Sequence, residues 1–153
     1  MFSTRGIGAG CVLMLDIDGV LHPEPVQAVD VLCALPVLHE ILKARPKLNV
    51  VITSDWRLRH TLDELSAMLS AGVPGLRRRV IGLTPALPDC RHEYRGRERE
   101  VEAWLAANGG PEWLAVDDVA GNYLYGSERV YLTDYRTGLT SADVPKILAR
   151  VPV

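Results

Sequence analysis

Acidic side chains occur as two close pairs in this chain, and each pair directly follows a short apolar run. The pairs are Asp16 with Asp18, and Asp117 with Asp118. Because side chains alternate along an extended segment, Asp16 and Asp18 project to the same side. Carboxylates that close together repel each other unless a cation or a shared proton relieves them. Each pair alone is also typical of a turn after a strand, but four carboxylates at one sheet edge predict a hard-oxygen site suited to Mg²⁺.

A hydroxyl and several guanidinium groups complete the set of candidate site residues. Thr53 ends the β-branched run 50–52, between the two acidic pairs in the sequence. Arg97, near the start of the helix expected before the fourth strand, is the best placed cation, and its planar fork suits a phosphate group. Three side chains near these positions are candidate substrate-binding residues: Ser54, Arg57 and Arg95. An exposed arginine at a helix start is the alternative interpretation of Arg57.

These residues need a scaffold that brings distant segments to one place. Five short apolar runs alternate with segments of helical periodicity, at residues 12–15, 50–52, 80–81, 113–116 and 130–132. Nearly all-apolar strands that alternate with helices indicate a three-layer α/β fold with a mostly parallel five-stranded sheet. Ligands of such sheets bind outside the carboxyl ends of the strands, where the acidic pairs and Thr53 lie.

Helices are expected at about residues 36–45 and 97–107, after the second strand, and at the end of the chain. The helix after the second strand is expected to be capped by Ser54 or Asp55. Its buried stripe would consist of four leucines at helical spacing: Leu58, Leu62, Leu65 and Leu69. Ser141 is expected to cap the last helix.

Length and composition indicate one ordinary globular domain. The chain has 153 residues, of which 48% are hydrophobic and 24% are charged. It therefore has enough apolar side chain for one core, and a wholly disordered chain is excluded. We expect residues 1–10 to form a flexible tail and residues 11–153 to form a single domain.

Charge and targeting features are those of a cytoplasmic protein without a membrane segment. The net charge of −2 creates no global field that demands nucleic acid or an anionic membrane. Every apolar run falls far short of the ~20 residues that span a bilayer, and the first residues lack the features of a signal peptide. Cys11, Cys33 and Cys90 show no C-x-x-C pairing, which favours buried thiols in a reducing compartment.

Two other motif interpretations of the amino-terminal region fail. An EF-hand loop needs a preceding helix and a glycine at its sixth position, whereas a strand precedes Asp16 and Gly19 stands fourth. The glycines at 6, 8 and 10 precede the first strand, whereas a dinucleotide fingerprint follows it.

Four short motifs, in this order, resemble those of the haloacid dehalogenase (HAD) superfamily. They are Asp16-Ile17-Asp18-Gly19-Val20-Leu21, Thr53, Arg97 and Asp117-Asp118. The resemblance implies a Rossmann-like HAD fold. Most of the superfamily carries lysine at the third motif, so the arginine here leaves three alternatives for that cation: Arg95, Arg97 and Arg99.

Longer segments resemble the small HAD domains of Swiss Army Knife RNA repair proteins. The similarity covers roughly residues 11–150. It includes Thr53-Ser54-Asp55-Trp56-Arg57, Arg97-x-x-Glu100-Val101-x-x-Trp104-Leu105, Trp113-Leu114-Ala115-Val116-Asp117-Asp118 and Gly138-Leu139-Thr140.

The resemblance implies a phosphatase and assigns catalytic roles. Asp16 would be the nucleophile that forms an aspartyl-phosphate. Asp18 would protonate the leaving oxygen and then take a proton from water. Thr53 would donate a hydrogen bond to a phosphoryl oxygen, and Arg97 would offset negative charge.

The resemblance also implies Mg²⁺ as the cofactor. Asp117, helped by Asp118, would hold the ion together with one Asp16 oxygen and the backbone carbonyl of Asp18. Within the superfamily, the second acid of the first motif favours phosphoryl transfer, because a departing halide needs no proton.

Sequence spacing leaves no room for a cap domain. Only 34 residues separate Asp18 from Thr53, and 63 separate Thr53 from Asp117; the expected helices and strands already use both intervals. A capless site is open to solvent, so the end of a polymer or a protein phosphate reaches it, whereas a small metabolite would need a lid from another subunit.

Three functions remain open from the sequence. The leading one is a Mg²⁺-dependent phosphatase, with nucleic-acid ends as one candidate substrate. The others are a non-catalytic module that binds phosphate or nucleic acid, and a phosphotransferase or phosphomutase. The run 77–79 of arginines is either a solvated face or the extension of a nucleic-acid track, and Trp56 suits the core better than a base-stacking platform. The oligomeric state is open.

Overall fold

Five short strands form a sheet in which every strand runs parallel to its neighbours. The structure is a computed structural model that describes residues 10–152. The strands are β1 (Val12–Leu15), β2 (Asn49–Ile52), β3 (Val80–Leu83), β4 (Trp113–Asp117) and β5 (Val130–Leu132). Their order is β3-β2-β1-β4-β5, which confirms the expected α/β fold with its five-stranded parallel sheet.

Helices cover both faces of this sheet. They are α1 (Leu35–Ala44), α2 (Leu62–Leu69), α3 (Gly96–Ala107) and α4 (Asp143–Arg150). Alternate residues of β1 point to opposite faces: Leu13 and Leu15 join the core beneath α1, α2 and α4, whereas Val12 and Met14 join the core beneath α3. The central strand is therefore buried on both faces, which explains its uninterrupted apolar sequence.

The chain reverses its direction of travel across the sheet at β1. From β1 it proceeds through α1 to β2 and through α2 to β3, and α3 then carries it back to β4 on the other side of β1. Such a switch point opens a crevice at the carboxyl ends of the two strands. Here those strands are β1 and β4, which carry the two acidic pairs.

The segment after β2 differs from the expected continuous helix. A short 3-10 helix (Asp55–Leu58) is capped by Ser54, and α2 begins only after Thr61. Thr61 and Glu64 form a reciprocal capping box, in which each side chain accepts a hydrogen bond from the other residue's backbone N–H. The prediction of one helix capped by Ser54 or Asp55 was wrong because this stronger start signal lies further along, and Leu58 is half exposed instead of joining the buried stripe.

The start of α4 also differs from its prediction. The helix begins at Asp143 after Ala142, and the Ser141 side chain makes no capping hydrogen bond. The Asp143 carboxylate instead accepts hydrogen bonds from the backbone N–H and the hydroxyl of Thr140. The prediction of a Ser141 cap was therefore wrong, and the negative charge of Asp143 in the first helical turn interacts favourably with the helix dipole instead.

Residues 10–152 contain no inserted segment that covers the carboxyl edge of the sheet, so the expected absence of a cap is confirmed for the described residues. Within the same range, no helix has the length and apolar character needed to cross a bilayer. The expected tail at residues 1–10 lies outside the described residues except for Gly10, which is exposed.

Candidate active site

Strand register brings three of the expected site residues to one level. Leu15 of β1 lies opposite Val116 of β4 and Ile52 of β2. The next residue of each strand therefore reaches the carboxyl edge of the sheet together with the other two: Asp16, Asp117 and Thr53. All three follow strand positions that face the core beneath α1, α2 and α4, so alternation places their side chains on the opposite face of the sheet, the side of α3.

Three carboxylates converge at this edge. Asp16, Asp117 and Asp118 each offer an oxygen within 4.8 Å of the others. Asp16 and Asp117 are buried, and Asp118 is partly exposed. Backbone N–H donors hold the two buried groups, since Ile17 donates to Asp16 Oδ1 at 2.8 Å and Val119 donates to Asp117 Oδ1 at 2.8 Å.

The burial and close approach of these carboxylates raise the pKa of two of them, Asp16 and Asp117. Burial, followed by repulsion from Asp117, raises the pKa of Asp16 well above its usual range. Burial likewise raises the pKa of Asp117 to about 7, although hydrogen bonds from Val119 and Asn122 oppose the shift. Repulsion from Asp118 acts in the same direction on both. A divalent cation would relieve this repulsion and replace the bound protons.

A glycine makes the approach of Asp118 possible. Gly19 has a φ of 77°, and a Cβ at this position would lie 2.3 Å from Asp118 Oδ2. Its carbonyl accepts a hydrogen bond at 2.7 Å from the Thr133 hydroxyl, at the end of β5. The turn after Asp18 is therefore held against β4 and β5 by a position that only glycine fits without strain.

Arg97 is the cation that faces the acidic cluster. It lies in the first turn of α3 and lines the same cavity as Asp16 and Asp118. Its charge lowers the pKa of both Asp16 and Asp117. Asp55 and Glu100 orient the guanidinium, with contacts of 2.8 and 3.1 Å. Burial alone would lower the pKa of Arg97, but these two partners raise it, so the side chain stays charged.

The two alternatives to Arg97 point elsewhere. Arg95 has a left-handed φ of 62° at the start of α3, pairs with Glu98 and does not line the cavity. Arg99 is exposed and donates to the carbonyl of Asp89. The geometry therefore favours Arg97 as the third-motif cation, and it gives Arg95 no contact with the proposed substrate position.

Thr53 ends β2 with a buried hydroxyl. Its Oγ1 and the neighbouring hydroxyl of Tyr123 make no well-formed hydrogen bond within the described part of the chain, and the two hydroxyls interact only weakly with each other. Burial, with the charges of Asp117 and Asp16, keeps the pKa of Tyr123 well above its usual range, so its hydroxyl stays protonated beside them. A buried polar group without a well-formed hydrogen bond is costly, which suits a hydroxyl that binds a ligand.

Asp18 lines the same cavity but is not among the converging carboxylates, so three of the four expected carboxylates meet. Its side chain is 42% exposed. Its Oδ1 lies 2.7 Å from His22 Nε2 and 3.3 Å from the indole Nε1 of Trp56. Trp56 packs against the core as expected, and its indole N–H adds a contact with Asp18.

Ser54 and Arg57 have different surroundings. Ser54 lines the cavity, and its Oγ accepts a hydrogen bond from the Trp56 N–H. Arg57 is buried, and its guanidinium donates to four backbone carbonyls and to Glu100: those of Thr53, Ser54, Thr84 and Pro85. Both interpretations of Arg57 are therefore contradicted: its N–H groups already have internal partners, so it is no substrate clamp, and its side chain is buried, so it is no exposed arginine at a helix start.

An open cavity of about 560 Å³ lies at the centre of the site, and its lining includes Asp16, Asp18, Arg97 and Asp118. Its rim includes two exposed tyrosines, Tyr94 and Tyr125, whose rings stack with centroids 4.6 Å apart. The hydroxyl of Tyr94 accepts a hydrogen bond from the Tyr125 N–H at 3.1 Å. A second cavity of about 560 Å³ lies near the amino ends of β1 and β4, but its lining is mainly apolar and lacks a carboxylate cluster.

The run of arginines at 77–79 lies outside the site. It directly precedes β3, at the amino end of that strand and therefore at the opposite edge of the sheet. Arg79 donates to the backbone carbonyls of Leu42, Arg45 and Leu48. The position of this run excludes a continuous nucleic-acid-binding track between these arginines and the acidic cluster along the carboxyl edge.

Several site residues gave no signal in the sequence. His22 and Tyr123 lie in loops, and Asn122 ends a short 3-10 helix; none of the three shows a periodicity or spacing related to the acidic pairs. Glu100 is part of the segment that carries the resemblance, but only the structure shows that it joins Arg57 to Arg97.

The donor set fits Mg²⁺. Three carboxylates converge, the burial of two of them opposes unneutralised charge, and oxygen donors of this kind are the ligands that hard divalent cations prefer. Asp16, Asp117 and Asp118 are the side chains that would hold the ion.

Comparison with known proteins gives one family match. The family model described as "HAD domain in Swiss Army Knife RNA repair proteins" matches residues 12–144. No curated protein and no solved structure matches the chain significantly. The matched range includes both acidic pairs, Thr53 and Arg97.

Proposed function

The chain belongs to the family of HAD domains found in Swiss Army Knife RNA repair proteins, and on this premise we propose that it is a Mg²⁺-dependent phosphomonoesterase. The observation that carries the proposal is the convergence of Asp16, Asp117 and Asp118 beside the charged Arg97 in an open cavity. A carboxylate nucleophile and a phosphate dianion repel each other. In this arrangement the nucleophile and the phosphate meet beside Arg97, whose positive charge offsets that repulsion.

Asp16 is the proposed nucleophile and Asp18 the proposed acid and base. An Asp16 oxygen forms a bond to phosphorus while the bond from phosphorus to the leaving oxygen breaks, and Asp18 gives that oxygen a proton. Water then attacks the aspartyl-phosphate and transfers its proton to Asp18. The bond between phosphorus and Asp16 breaks, which releases inorganic phosphate and restores both carboxyl groups.

The other residues bind and orient the phosphoryl group. Thr53 donates its buried hydroxyl to a phosphoryl oxygen, and Arg97 offsets the negative charge of Asp16 and of the transferring group. Asp16, Asp117 and Asp118 would hold Mg²⁺, with the backbone carbonyl of Asp18 as a further oxygen donor. When bound, the ion supplies positive charge that neutralises the phosphate and the surrounding carboxylates.

We further propose that the substrate is a phosphorylated nucleic-acid end. The family description names RNA repair, and the capless cavity admits the end of a polymer. The stacked pair Tyr94 and Tyr125 stands on its rim with 46% and 67% of each residue exposed, and flat aromatic faces bind bases. The proposal retains a cytoplasmic location, which the free thiols of Cys11, Cys33 and Cys90 suit.

A phosphate-release assay tests the proposed activity. The purified chain is given an aryl phosphate and oligonucleotides with either a 3′- or a 5′-phosphate, with Mg²⁺ or with a chelator. We expect release only with Mg²⁺, and a loss of roughly 1,000-fold or more in Asp16→Asn and Asp18→Asn. Glu102→Gln, which changes an exposed carboxylate in the middle of α3, is the matched control and keeps full activity.

Two results of this assay would contradict the proposal. Hydrolysis that persists in Asp16→Asn would exclude the aspartyl-phosphate, and hydrolysis that is indifferent to the chelator would exclude the metal. A third contradicting result would need a separate binding measurement: a chain that binds the phosphorylated oligonucleotides but releases no phosphate would favour the non-catalytic module.

A further inference from the structure

A buried donor from His22 and a partly buried donor from Trp56 hold one oxygen of Asp18, although the Asp18 side chain itself is partly exposed. His22 Nε2 lies 2.7 Å from Asp18 Oδ1, and Trp56 Nε1 donates to the same oxygen at 3.3 Å. Asp18 Oδ2 accepts no hydrogen bond from any residue between 10 and 152. The carboxyl group is thereby held by Oδ1, and Oδ2 remains available in the cavity that Asp18 lines.

The hydrogen-bond partner of His22 Nδ1 shows which ring nitrogen carries the hydrogen. The backbone N–H of Leu32 donates to His22 Nδ1 at 3.1 Å. Because an N–H can only donate, Nδ1 is the acceptor and the ring hydrogen lies on Nε2. His22 therefore donates to Asp18 and does not accept from it.

Leu32, whose N–H contacts His22, has an unusual backbone conformation. Leu32 has a φ of 58°, in the left-handed region that leucine rarely adopts. This conformation is unfavourable for a residue with a Cβ. The surrounding loop holds it nonetheless, and there its N–H reaches His22.

His39 shows what a structural histidine looks like in the same protein. It is also buried, and its Nε2 meets the backbone carbonyl of Leu69 at 2.7 Å, inside the core. His22 is more completely buried, with no exposed surface, yet its Nε2 points at a cavity-lining carboxylate. The difference lies in the partner, since only His22 connects the core to the proposed reaction site.

We propose that His22 is a positioning residue that orients Asp18 for proton transfer. The inference rests on the proposed phosphomonoesterase function and adds to it a residue outside the four motifs. His22 holds Oδ1, with Trp56 as a second donor, so that Oδ2 faces the leaving oxygen of the substrate. The P–O bond to that oxygen breaks as the oxygen takes the proton from Asp18.

This role has a consequence that a structural role lacks. A leaving group that is a poor acid, such as a sugar alcohol, needs a proton as it departs, whereas 2,4-dinitrophenolate departs without one. Loss of the orientation of Asp18 should therefore slow the first kind of ester and spare the second. The loss should appear in kcat and not in KM, because His22 does not line the cavity.

Single-turnover release of the leaving group from the two esters tests the inference. For His22→Ala we expect the rate with an alkyl phosphate to fall roughly 10- to 100-fold, within the range typical of general-acid catalysis. With 2,4-dinitrophenyl phosphate it should change by less than about threefold. His22→Gln, which places an amide N–H near the position of Nε2, should recover most of the lost rate.

Two further variants separate orientation from stability. His39→Ala removes the structural histidine and should change the rates with both esters by the same factor, whatever its effect on unfolding. Trp56→Phe removes the second donor to Oδ1 and should give a smaller loss confined to the alkyl ester. It provides the decisive comparison if His22→Ala does not fold.

The outcomes distinguish this inference from the function on which it rests. Equal losses with both esters in His22→Ala, or in Trp56→Phe if the former does not fold, would overturn the positioning role and leave the phosphomonoesterase in place. Failure of the unmodified chain to release either leaving group would overturn the proposed function and, with it, the role of His22.

Discussion

The hydroxyl of Thr53 is unfavourable for the stability of the fold but suited to binding a ligand. The group is buried and makes no well-formed hydrogen bond, although the residue directly follows β2, which pairs regularly with β1. Leaving a hydroxyl unsatisfied in the interior costs free energy, and a phosphoryl oxygen at the cavity would remove that cost. The two effects predict opposite signs for stability and for activity when the hydroxyl is deleted.

For Thr53→Val we expect kcat/KM to fall roughly 10- to 100-fold, the value of a hydrogen bond to a charged group. The melting temperature should stay the same or rise, because the deleted hydroxyl makes no well-formed hydrogen bond. Thr133→Val is the matched control, since its hydroxyl donates to the Gly19 carbonyl at 2.7 Å and its loss should lower stability. A drop in melting temperature for Thr53→Val larger than that of Thr133→Val would argue for a structural role.

The acidic cluster makes stability depend on pH and on metal. The pKa of Asp117 is raised to about 7 in the folded chain, from an ordinary value near 3.8, and that of Asp16 is raised as well. The folded state therefore binds more protons than the unfolded state between about pH 4 and pH 7, so this contribution to the free energy of unfolding decreases as pH rises through that window.

We accordingly expect Mg²⁺ to raise the melting temperature more at about pH 8 than at about pH 5.5, where protons compete for the carboxylates. In chelator at the higher pH, Asp16→Asn should melt roughly 3 °C or more above the unmodified chain, a change of about 1 kcal/mol for this length. Thermal denaturation followed by circular dichroism measures both. A rise with Mg²⁺ that is equal at the two pH values, or that persists in Asp16→Asn, would contradict the shared site.

At the scale of elements, a buried ionic network joins the segment after β2 to α3. Arg57 lies in the 3-10 helix that follows Thr53, and Glu100 of α3 contacts both Arg57 and Arg97 at 3.0 and 3.1 Å. Asp55 contacts Arg97 from the same 3-10 helix at 2.8 Å. The position of Arg97 above the cluster thus depends on two elements that are distant in sequence.

Arg57→Met should therefore destabilise the fold without weakening the substrate complex. The side chains of Arg57 and Glu100 are only 3% and 5% exposed, and removal of one partner of such a buried pair costs roughly 3 kcal/mol. At a temperature where the variant remains folded, we expect KM within about threefold of normal, because Arg57 has no free donor for a ligand. Urea denaturation and steady-state kinetics provide the two readouts.

Arg91→Ala is the control for that experiment, since its guanidinium is 64% exposed and only 3.9 Å from Asp55. It should change neither stability nor KM appreciably. A large rise in KM for Arg57→Met at unchanged stability would restore the substrate-clamp interpretation that the structure contradicts.

At the scale of the whole molecule, the open carboxyl edge of the sheet determines what reaches the site. No element of residues 10–152 covers the cavity, and the run 77–79 of arginines lies at the other edge. The substrate contacts outside the phosphate group must therefore come from the rim. Its most prominent aromatic feature is the stacked pair formed by Tyr94 and Tyr125.

We expect Tyr94→Leu and Tyr125→Leu to raise KM for a nucleotide monophosphate roughly 5- to 100-fold, the value of stacking one base. KM for ribose phosphate, which has no base, should change little. Tyr135→Leu serves as the control because Tyr135 is 51% exposed but does not line the cavity. Equal effects of the rim variants on both substrates would show that the tyrosines do not bind a base.

The sequence by itself determined the order of strands along the chain, the parallel sheet and the residues that end its central strands. These features follow from local patterns: a strand buried on both faces needs an apolar run, and polar residues such as Asp16, Thr53 and Asp117 stop that run at a common edge. The absence of a cap over the described residues followed from spacing alone, because the intervals between motifs were already filled.

Tertiary structure decided which side chains meet there. Arg95, Arg97 and Arg99 are equivalent candidates in the sequence, and only the position of α3 in the fold places Arg97 in the cavity with the cluster. Arg57 was a candidate substrate-binding residue in the sequence, but its burial and its internal hydrogen bonds make it a structural side chain. The loop that contains Leu32 places a backbone donor next to His22. Contacts of this kind depend on the packing of distant segments, whose side-chain directions and burial have no counterpart in local periodicity.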